Sequence, residues 1–238
     1  MSDNFKKGIT KVIDTYEKWW GGELDRGLIP VTVISDTTGQ PKPKGWDDGF
    51  MGCSQALFAN TDITPEEFID CVDYGLSKME FLGDAFPRLC MDVSGAGIVA
   101  AFLGASVRVL EGYIWFHPNE YADIRDLHFE YNPNNPWLVR TKEIIKAGKK
   151  RWGDKVLIGQ PDYGGASDIL ATFRKNENLL LDLYDHPDEV RRLMGEIHDL
   201  WHVYYNELAP LCNDGFAYTD WSAIISKKPS YMFQSDFC

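Results

Sequence analysis

Seven side chains that could do chemistry stand at the ends of predicted β-strands. They are Asp92, His117, Asp162, Tyr163, Asp220, Trp221 and Asp236. Ser35, Asp36 and Cys238 occupy similar positions. In a parallel (β/α) barrel the carboxyl ends of all strands meet at one rim, and active sites are built there. We therefore predict that the four aspartates of the first set lie together at one end of a sheet.

Roles can be assigned to these side chains, although each has a structural alternative. We predict catalytic roles for Asp92, Asp162 and Tyr163, and substrate binding by His117, Asp220, Trp221 and Asp236. Asp92 could instead be the N-cap of a helix that contains "IVAAFL". Asp162 and Tyr163 could be loop residues in a Gly-rich turn. His117 precedes Pro118 and could simply end a strand.

Three other patterns do not predict a site. His198 and His202 in "HDLWH" have the spacing of a zinc-binding pair, but Asp199 is shorter than the usual Glu and no third ligand follows. We therefore place them on the outer face of a helix. Trp19 and Trp20 are predicted to be packing residues. The five cysteines are widely spaced without a C-x-x-C pair, which argues against a disulfide framework and a structural zinc site.

The elements that must position the candidate residues alternate between helix and strand. Apolar spacing and capping signals predict helices over residues 5–20, 64–83, 135–153, 166–175 and 186–211. Compact apolar or β-branched runs predict strands over 28–35, 88–93, 112–117, 155–160, 215–221 and 231–236. Several of these strands are almost entirely apolar, which is typical of parallel strands buried on both faces.

This order predicts the α/β class and a (β/α)8 TIM-barrel type of fold, in a single domain over residues 1–238. A closed barrel needs eight strands, whereas about six are predicted, so we expect an incomplete barrel. The last predicted strand lies in "YMFQSDFC", residues 231–238. An open parallel edge leaves backbone groups unpaired. We therefore expect either self-association through that edge or a longer protein that carries the remaining units.

Composition limits the partners. The formal net charge of −12, without a run of Lys or Arg, would repel phosphate backbones and anionic lipid surfaces, so nucleic acid and membrane are poor partners. The first ten residues are polar where a secretory signal would be apolar, and no apolar run approaches the roughly 20 residues of a spanning helix. These features predict a cytoplasmic protein with a small-molecule substrate.

Three stretches resemble one family. They are "ELDRGLIPVTV" (residues 23–33), "CMDVSGAGIVAAFLGASVRVLEG" (90–112) and "GQPDYGGASDILATFRKNENLLLDLYDHPDEVRRLM" (159–194). In order and spacing they are similar to the uroporphyrinogen decarboxylase superfamily, whose members are (β/α)-barrel proteins. The resemblance implies that the C-terminal third is missing here. It also matches Asp92 to the aspartate that hydrogen-bonds the ring nitrogens of the decarboxylase substrate.

The resemblance implies two known chemistries, decarboxylation and corrinoid-dependent methyl transfer. The decarboxylase binds its polycarboxylate substrate with an Arg-Gln-Ala-Gly-Arg loop, where this chain has "SDTTGQ" (residues 35–40), and Phe173 replaces its tyrosine. The methyltransferases hold zinc through a His-x-Cys and a later Cys, and this chain has no His-x-Cys. The cofactor is therefore unknown, since zinc or a corrinoid would need ligands from a further C-terminal part.

The leading functional hypothesis is a small-molecule activity, namely methyl transfer that involves a corrinoid protein. One alternative is a non-catalytic partial barrel that binds a ligand or self-assembles. Another is a decarboxylase of a tetrapyrrole-like substrate.

Overall fold

The computed structural model describes residues 4–35, 38–46, 55–213 and 215–231. The α-helices are α1 (Asn4–Trp20), α2 (Gln55–Ala59), α3 (Pro65–Ser77), α4 (Val99–Phe102), α5 (Pro136–Trp152), α6 (Ala166–Arg174), α7 (Asn176–Asp185) and α8 (Pro187–Asn213). The strands are β1 (Pro30–Ile34), β2 (Met79–Gly83), β3 (Arg88–Leu89), β4 (Ser106–Leu110), β5 (Tyr113–His117) and β6 (Leu157–Ile158). The protein is therefore mixed α/β, as the sequence predicts.

The predicted parallel pairing is found between β3 and β6, which lie side by side with Arg88 opposite Leu157. Side chains from successive residues of β6 enter different apolar clusters. Leu157 packs with Ile9 and Ile13 of α1, whereas Ile158 joins the main core between the strands and the large helices. Alternate residues of a strand point to opposite faces, so this pair is buried on both faces.

The strand predicted over residues 28–35 is present, but its predicted parallel, buried setting is wrong. β1 pairs antiparallel with β2, and all five of its residues are exposed. The pairing is fixed at one end, where Asp84 accepts a hydrogen bond from the Ile29 amide (2.7 Å) and pairs with Arg26. A β-branched run favours a strand but does not specify its partner, because the partner is distant in sequence.

The strand predicted over residues 112–117 is β5, and it is not a barrel strand. It forms an antiparallel hairpin with β4, joined by a tight turn at Glu111 and Gly112, both of which have positive φ angles. This local pairing satisfies the backbone groups that a barrel neighbour would otherwise contact. The carboxyl end of β5 therefore does not belong to the edge formed by β3 and β6.

Other predicted strands are shorter than expected. The prediction over 88–93 is a strand only at β3, after which Met91–Ser94 form a turn of 3-10 helix. The prediction over 215–221 is reduced to a single bridge between Tyr218 and Ser226. The strand predicted over 231–236 falls almost wholly outside the described residues. With 49% helix and 12% strand in three two-stranded sheets, the described part of the chain forms no closed barrel.

The helix predictions are confirmed in position. α3 begins with the expected capping box, in which the Thr64 hydroxyl accepts from the Glu67 amide and the Glu67 carboxylate accepts from the Thr64 amide. It ends at Ser77, earlier than predicted, because residues 79–83 form β2. α7 is not predicted, since its leucines lie on more than one face and give no clear period.

The long helices α5 and α8 pack against each other and cover the outer face of β6. Arg140 of α5 is buried and donates to four backbone carbonyls at the end of α2, those of Leu57, Phe58, Asn60 and Ile63. Its guanidinium thus terminates α2. None of the described helices has the length and apolar character needed to span a membrane.

Candidate functional site

A cavity of about 330 Å3 opens beyond the carboxyl end of β3. The β1–β2 ribbon and α3 supply most of its apolar wall, including Ile34, Leu76 and Phe81. β3 and the turn after it supply Arg88, Cys90 and Asp92. A few polar groups on an apolar surface are typical of a small-molecule site, so we take this cavity as the candidate functional site, termed the β3 cavity.

Asp92, the first predicted catalytic residue, lies in the 3-10 turn and is exposed at the β3 cavity. Its alternative role as a helix cap is not observed. α4 begins only at Val99, and its N-cap residue, Ile98, makes no side-chain cap. The Asp92 carbonyl accepts a hydrogen bond from Gln55 (3.2 Å), which ties the turn to α2. The carboxylate is thus held at the cavity on a fixed backbone.

Sequence reasoning missed Arg88 and Cys90. Arg88 Nη1 lies 3.4 Å from Cys90 Sγ. Burial raises the pKa of the Cys90 thiol to about 12, opposed by Arg88 and reinforced by Asp92. Cys90 is therefore a thiol at neutral pH and not the thiolate that acts as a nucleophile or metal ligand. A signal was present in the sequence, because residues 88, 90 and 92 alternate along a predicted strand and would share one face.

Asp162 lies in the loop that follows β6, and this loop joins the loop that follows β3. The Asp162 carbonyl accepts from the amides of Gly97 (3.1 Å) and Ile98 (3.0 Å), and its carboxylate accepts from the Gly164 amide (3.0 Å). Gly97 and Gly164 cross so closely that a Cβ on Gly164 would lie 2.6 Å from the Gly97 Cα. The loops that follow β3 and β6 are thus in backbone contact, while the predicted clustering of the aspartate side chains stays a prediction.

Tyr163 is not among the residues that line the β3 cavity, so its catalytic role stays a prediction. It is 5% exposed, and its hydroxyl donates to Gln160 Oε1 (2.7 Å). Burial raises the pKa of this phenol well above its usual value. Its ring packs against Trp201 and Tyr205 of α8.

Two polar atoms near this phenol are buried. Within the described ranges, Gln160 Nε2 and Thr219 Oγ1 have no hydrogen-bond partner. Buried polar atoms are normally paired, so this part of the core has capacity for a bound polar group.

Asp220 and Trp221 follow the short segment beside β6. The Asp220 carbonyl accepts from Arg88 Nη1 (2.6 Å), which brings the segment to the β3 cavity. Its carboxylate, however, accepts hydrogen bonds from the amide and hydroxyl of Ser222, and these bonds stabilise a local turn. Trp221 is 40% exposed. Asp236 and Cys238 lie outside the described residues, as does Asp36.

His117 lines a different cavity, of about 640 Å3, between the β4–β5 hairpin and the corner joining α6 to α7. Tyr113, Trp115 and Tyr121 contribute aromatic surface there, and the Lys175 ammonium lies 4.2 Å from the centre of the Tyr121 ring. His117 and Asp92 therefore line different cavities. Its role in substrate binding stays a prediction.

Metal ligands are not assembled in the part of the chain that the structure describes, where no three His, Cys, Asp or Glu side chains are grouped to hold an ion. His198 and His202 neighbour each other on α8 with ring centres 4.7 Å apart, His198 being exposed. Trp19 and Trp20 are partly exposed, and Trp20 Nε1 donates to the Ile225 carbonyl (2.8 Å).

Comparisons with protein-family models, with curated proteins and with solved structures give no match for this chain.

Proposed function

We propose that the chain is a partial (β/α)-barrel protein related to the uroporphyrinogen decarboxylase superfamily, and that it acts on a small molecule at the β3 cavity. One observation carries the proposal. The Asp92 carboxylate lines a largely apolar cavity beyond the carboxyl end of β3, a strand that pairs parallel with β6. This is the position at which barrel enzymes place their catalytic groups.

Asp92 is the side chain of the β3 cavity best suited to chemistry. An exposed carboxylate at the edge of an apolar wall can accept a hydrogen bond or a proton from a bound substrate, and it stabilises positive charge that develops there. Cys90 does not compete for this role, because burial keeps it protonated at neutral pH. The chemistry of the described residues is therefore that of a positioned carboxylate and a neighbouring guanidinium.

The finer proposal is methyl transfer that involves a corrinoid protein, and its support is the resemblance together with the missing cation loop at residues 35–40. The described residues do not fit a zinc site, since none of them form a ligand group. The non-catalytic ligand-binding protein and the tetrapyrrole-type decarboxylase remain the alternatives.

The test is a methyl-transfer assay with the purified protein. Reduced cobalamin would serve as the acceptor, and a panel of methanol, methylated amines, methyl thioethers and methyl ethers as donors. Formation of methylcobalamin would be followed by its absorbance. We expect one donor class to react, and the Asp92→Asn variant to lower the rate by about 100-fold, the size of effect expected for a positioned acid–base group.

Asp188→Asn is the matched control, because the Asp188 side chain is 93% exposed on α8 and, within the described ranges, forms its ion pair with Arg191. This variant should react at the wild-type rate. If no donor reacts and ligands still bind at the β3 cavity, the non-catalytic alternative is favoured. If Asp92→Asn and Asp188→Asn react at the same rate as the wild type, Asp92 is not the catalytic carboxylate.

A further inference from the structure

Arg88 is a half-buried cation whose charge is not paired by any carboxylate of the described residues. Its Nη1 donates to the Asp220 carbonyl (2.6 Å) and lies near Cys90 Sγ. The described contacts include no ion pair between Arg88 and the Asp220 carboxylate, whose Oδ1 accepts from the amide and hydroxyl of Ser222. Two hydrogen-bonding nitrogens of the guanidinium, Nε and Nη2, thus make no described contact. A guanidinium carries five N–H donors in a planar fork, so most of its binding capacity is unused.

The other partly buried arginines of the fold do not share this property. Arg174 makes a bidentate pair with Asp182, and Arg192 pairs with Glu189 and Glu196. The donors of Arg140 are used by backbone carbonyls. The chain has 36 acidic and 24 basic residues, so acidic partners are in excess. Leaving a half-buried charge unpaired is costly, and Arg88 stands out for that reason.

The residues around Arg88 indicate which kind of ligand its guanidinium could bind. Arg88, Cys90 and Asp92 all line the β3 cavity, whose remaining wall is largely apolar, with Ile34, Leu76, Met79, Phe81, Phe86 and Val93. A guanidinium in such a wall binds a planar anion well, because a carboxylate matches the fork with two parallel hydrogen bonds and water competes less. The apolar wall favours burial of a hydrocarbon body attached to that anion.

We propose that the β3 cavity binds its small-molecule ligand through a single carboxylate, which pairs with Arg88 while the apolar body of the ligand packs against Phe81, Phe86 and Leu76. This inference deepens the proposed function, since it names the substrate class of the same cavity. The Asp92 carboxylate disfavours a second anionic group on the ligand, because like charges repel, and it accepts a hydrogen bond from any donor group that the ligand carries.

The test uses two probes of nearly equal shape, cyclohexanecarboxylate and cyclohexanecarboxamide, titrated into the purified chain by isothermal titration calorimetry or ligand-observed NMR. The carboxylate should bind at least about tenfold more tightly than the amide, because only the anion makes the charged, bidentate pair. Arg88→Gln should abolish this preference, and Arg88→Lys should retain part of it, since an ammonium keeps the charge without the fork.

Two control variants separate this inference from the proposed function. Arg108→Gln removes an exposed arginine of β4 and should leave binding of the carboxylate unchanged. Asp92→Asn should preserve or strengthen binding of the carboxylate by removing a like charge, although the proposed function expects it to lower turnover. Failure of the methyl-transfer assay would therefore not produce the same result as failure of the Arg88 inference.

The inference is overturned if the wild-type protein binds both probes equally, or if it binds neither probe at a concentration of about 10 mM. It is also overturned if Arg88→Gln binds the carboxylate as the wild type does. Should Arg88→Gln fail to fold, as judged by circular dichroism, the comparison of the two probes on the wild type and on Arg88→Lys decides the question.

Discussion

The crossing of Gly97 and Gly164 gives the sharpest stability prediction, because it joins the two loops that carry Asp92 and Asp162. Gly164 has a φ angle of +76°, and a Cβ added there would lie 2.6 Å from the Gly97 Cα. Its neighbour is backbone and cannot move as a flexible side chain would. Gly164→Ala should therefore carry both a conformational cost and a steric cost.

The two costs can be estimated separately. A non-glycine residue at positive φ costs roughly 1–2 kcal/mol, and forcing a methyl group into a packed backbone contact costs roughly 1–3 kcal/mol. We therefore expect Gly164→Ala to lower the free energy of unfolding by about 2–5 kcal/mol. At about 2–4 °C per kcal/mol for a chain of this size, the melting temperature should fall by roughly 4–20 °C.

The assay is thermal and urea unfolding of Gly164→Ala beside Gly22→Ala. Gly22 has a similar φ angle of +69°, but a Cβ there would meet no atom within 4 Å. The control variant should therefore show only the conformational cost, and the difference between the two variants measures the close approach of the loops. Equal effects of the two substitutions would refute the crossing of the two loops.

Four further predictions test other parts of the structure. Arg140→Met should lower the free energy of unfolding by about 2–4 kcal/mol in urea titrations, because several carbonyls at the end of α2 lose their donor. A decrease of less than about 0.5 kcal/mol would contradict the role of Arg140 in capping α2. Arg26 holds the pKa of Asp84 below its usual range, so the native state gains stability above the unfolded pKa and loses it as the pH falls. Arg26→Gln should thus destabilise the protein more at pH 7 than at about pH 3, and a pH-independent cost measured by urea unfolding would contradict that pairing. Cys90 should react with iodoacetamide more slowly than free cysteine at neutral pH, because burial raises the pKa of its thiol. The reaction is followed by peptide mass spectrometry, and labelling at the rate of a free thiol would show that Cys90 is not buried. The protein should form no coproporphyrinogen from uroporphyrinogen above a control without enzyme, because the loop at residues 35–40 lacks cations.

Local sequence determined most of the helices. α1, α3, α5, α6 and α8 lie where apolar spacing and capping residues predict them, because a helix is held by contacts within a few residues of the chain. The capping box at Thr64 and Glu67 illustrates this, since both of its hydrogen bonds join residues three apart. Composition likewise determined the excess of negative charge.

Only the tertiary structure decided how the strands pair. The sequence predicts a strand at "PVTVI", and the structure has β1 there. Its antiparallel partner, β2, lies about fifty residues away, in a segment that the sequence predicts to be the end of a helix. β5 is not a barrel strand, because it pairs antiparallel with β4, its neighbour in the sequence. Strand pairing depends on long-range contacts, and a run of β-branched residues is compatible with several partners.

The site divides in the same way. The sequence alone placed Asp92 at the end of a strand, because a change from apolar to polar residues is a local signal. It could not show that Asp220 offers Arg88 only a carbonyl, that Tyr163 is enclosed by α8, or that His117 faces a separate cavity. Those outcomes depend on which distant groups meet, and whether a charge is paired or a hydroxyl is buried is determined only once the chain has packed.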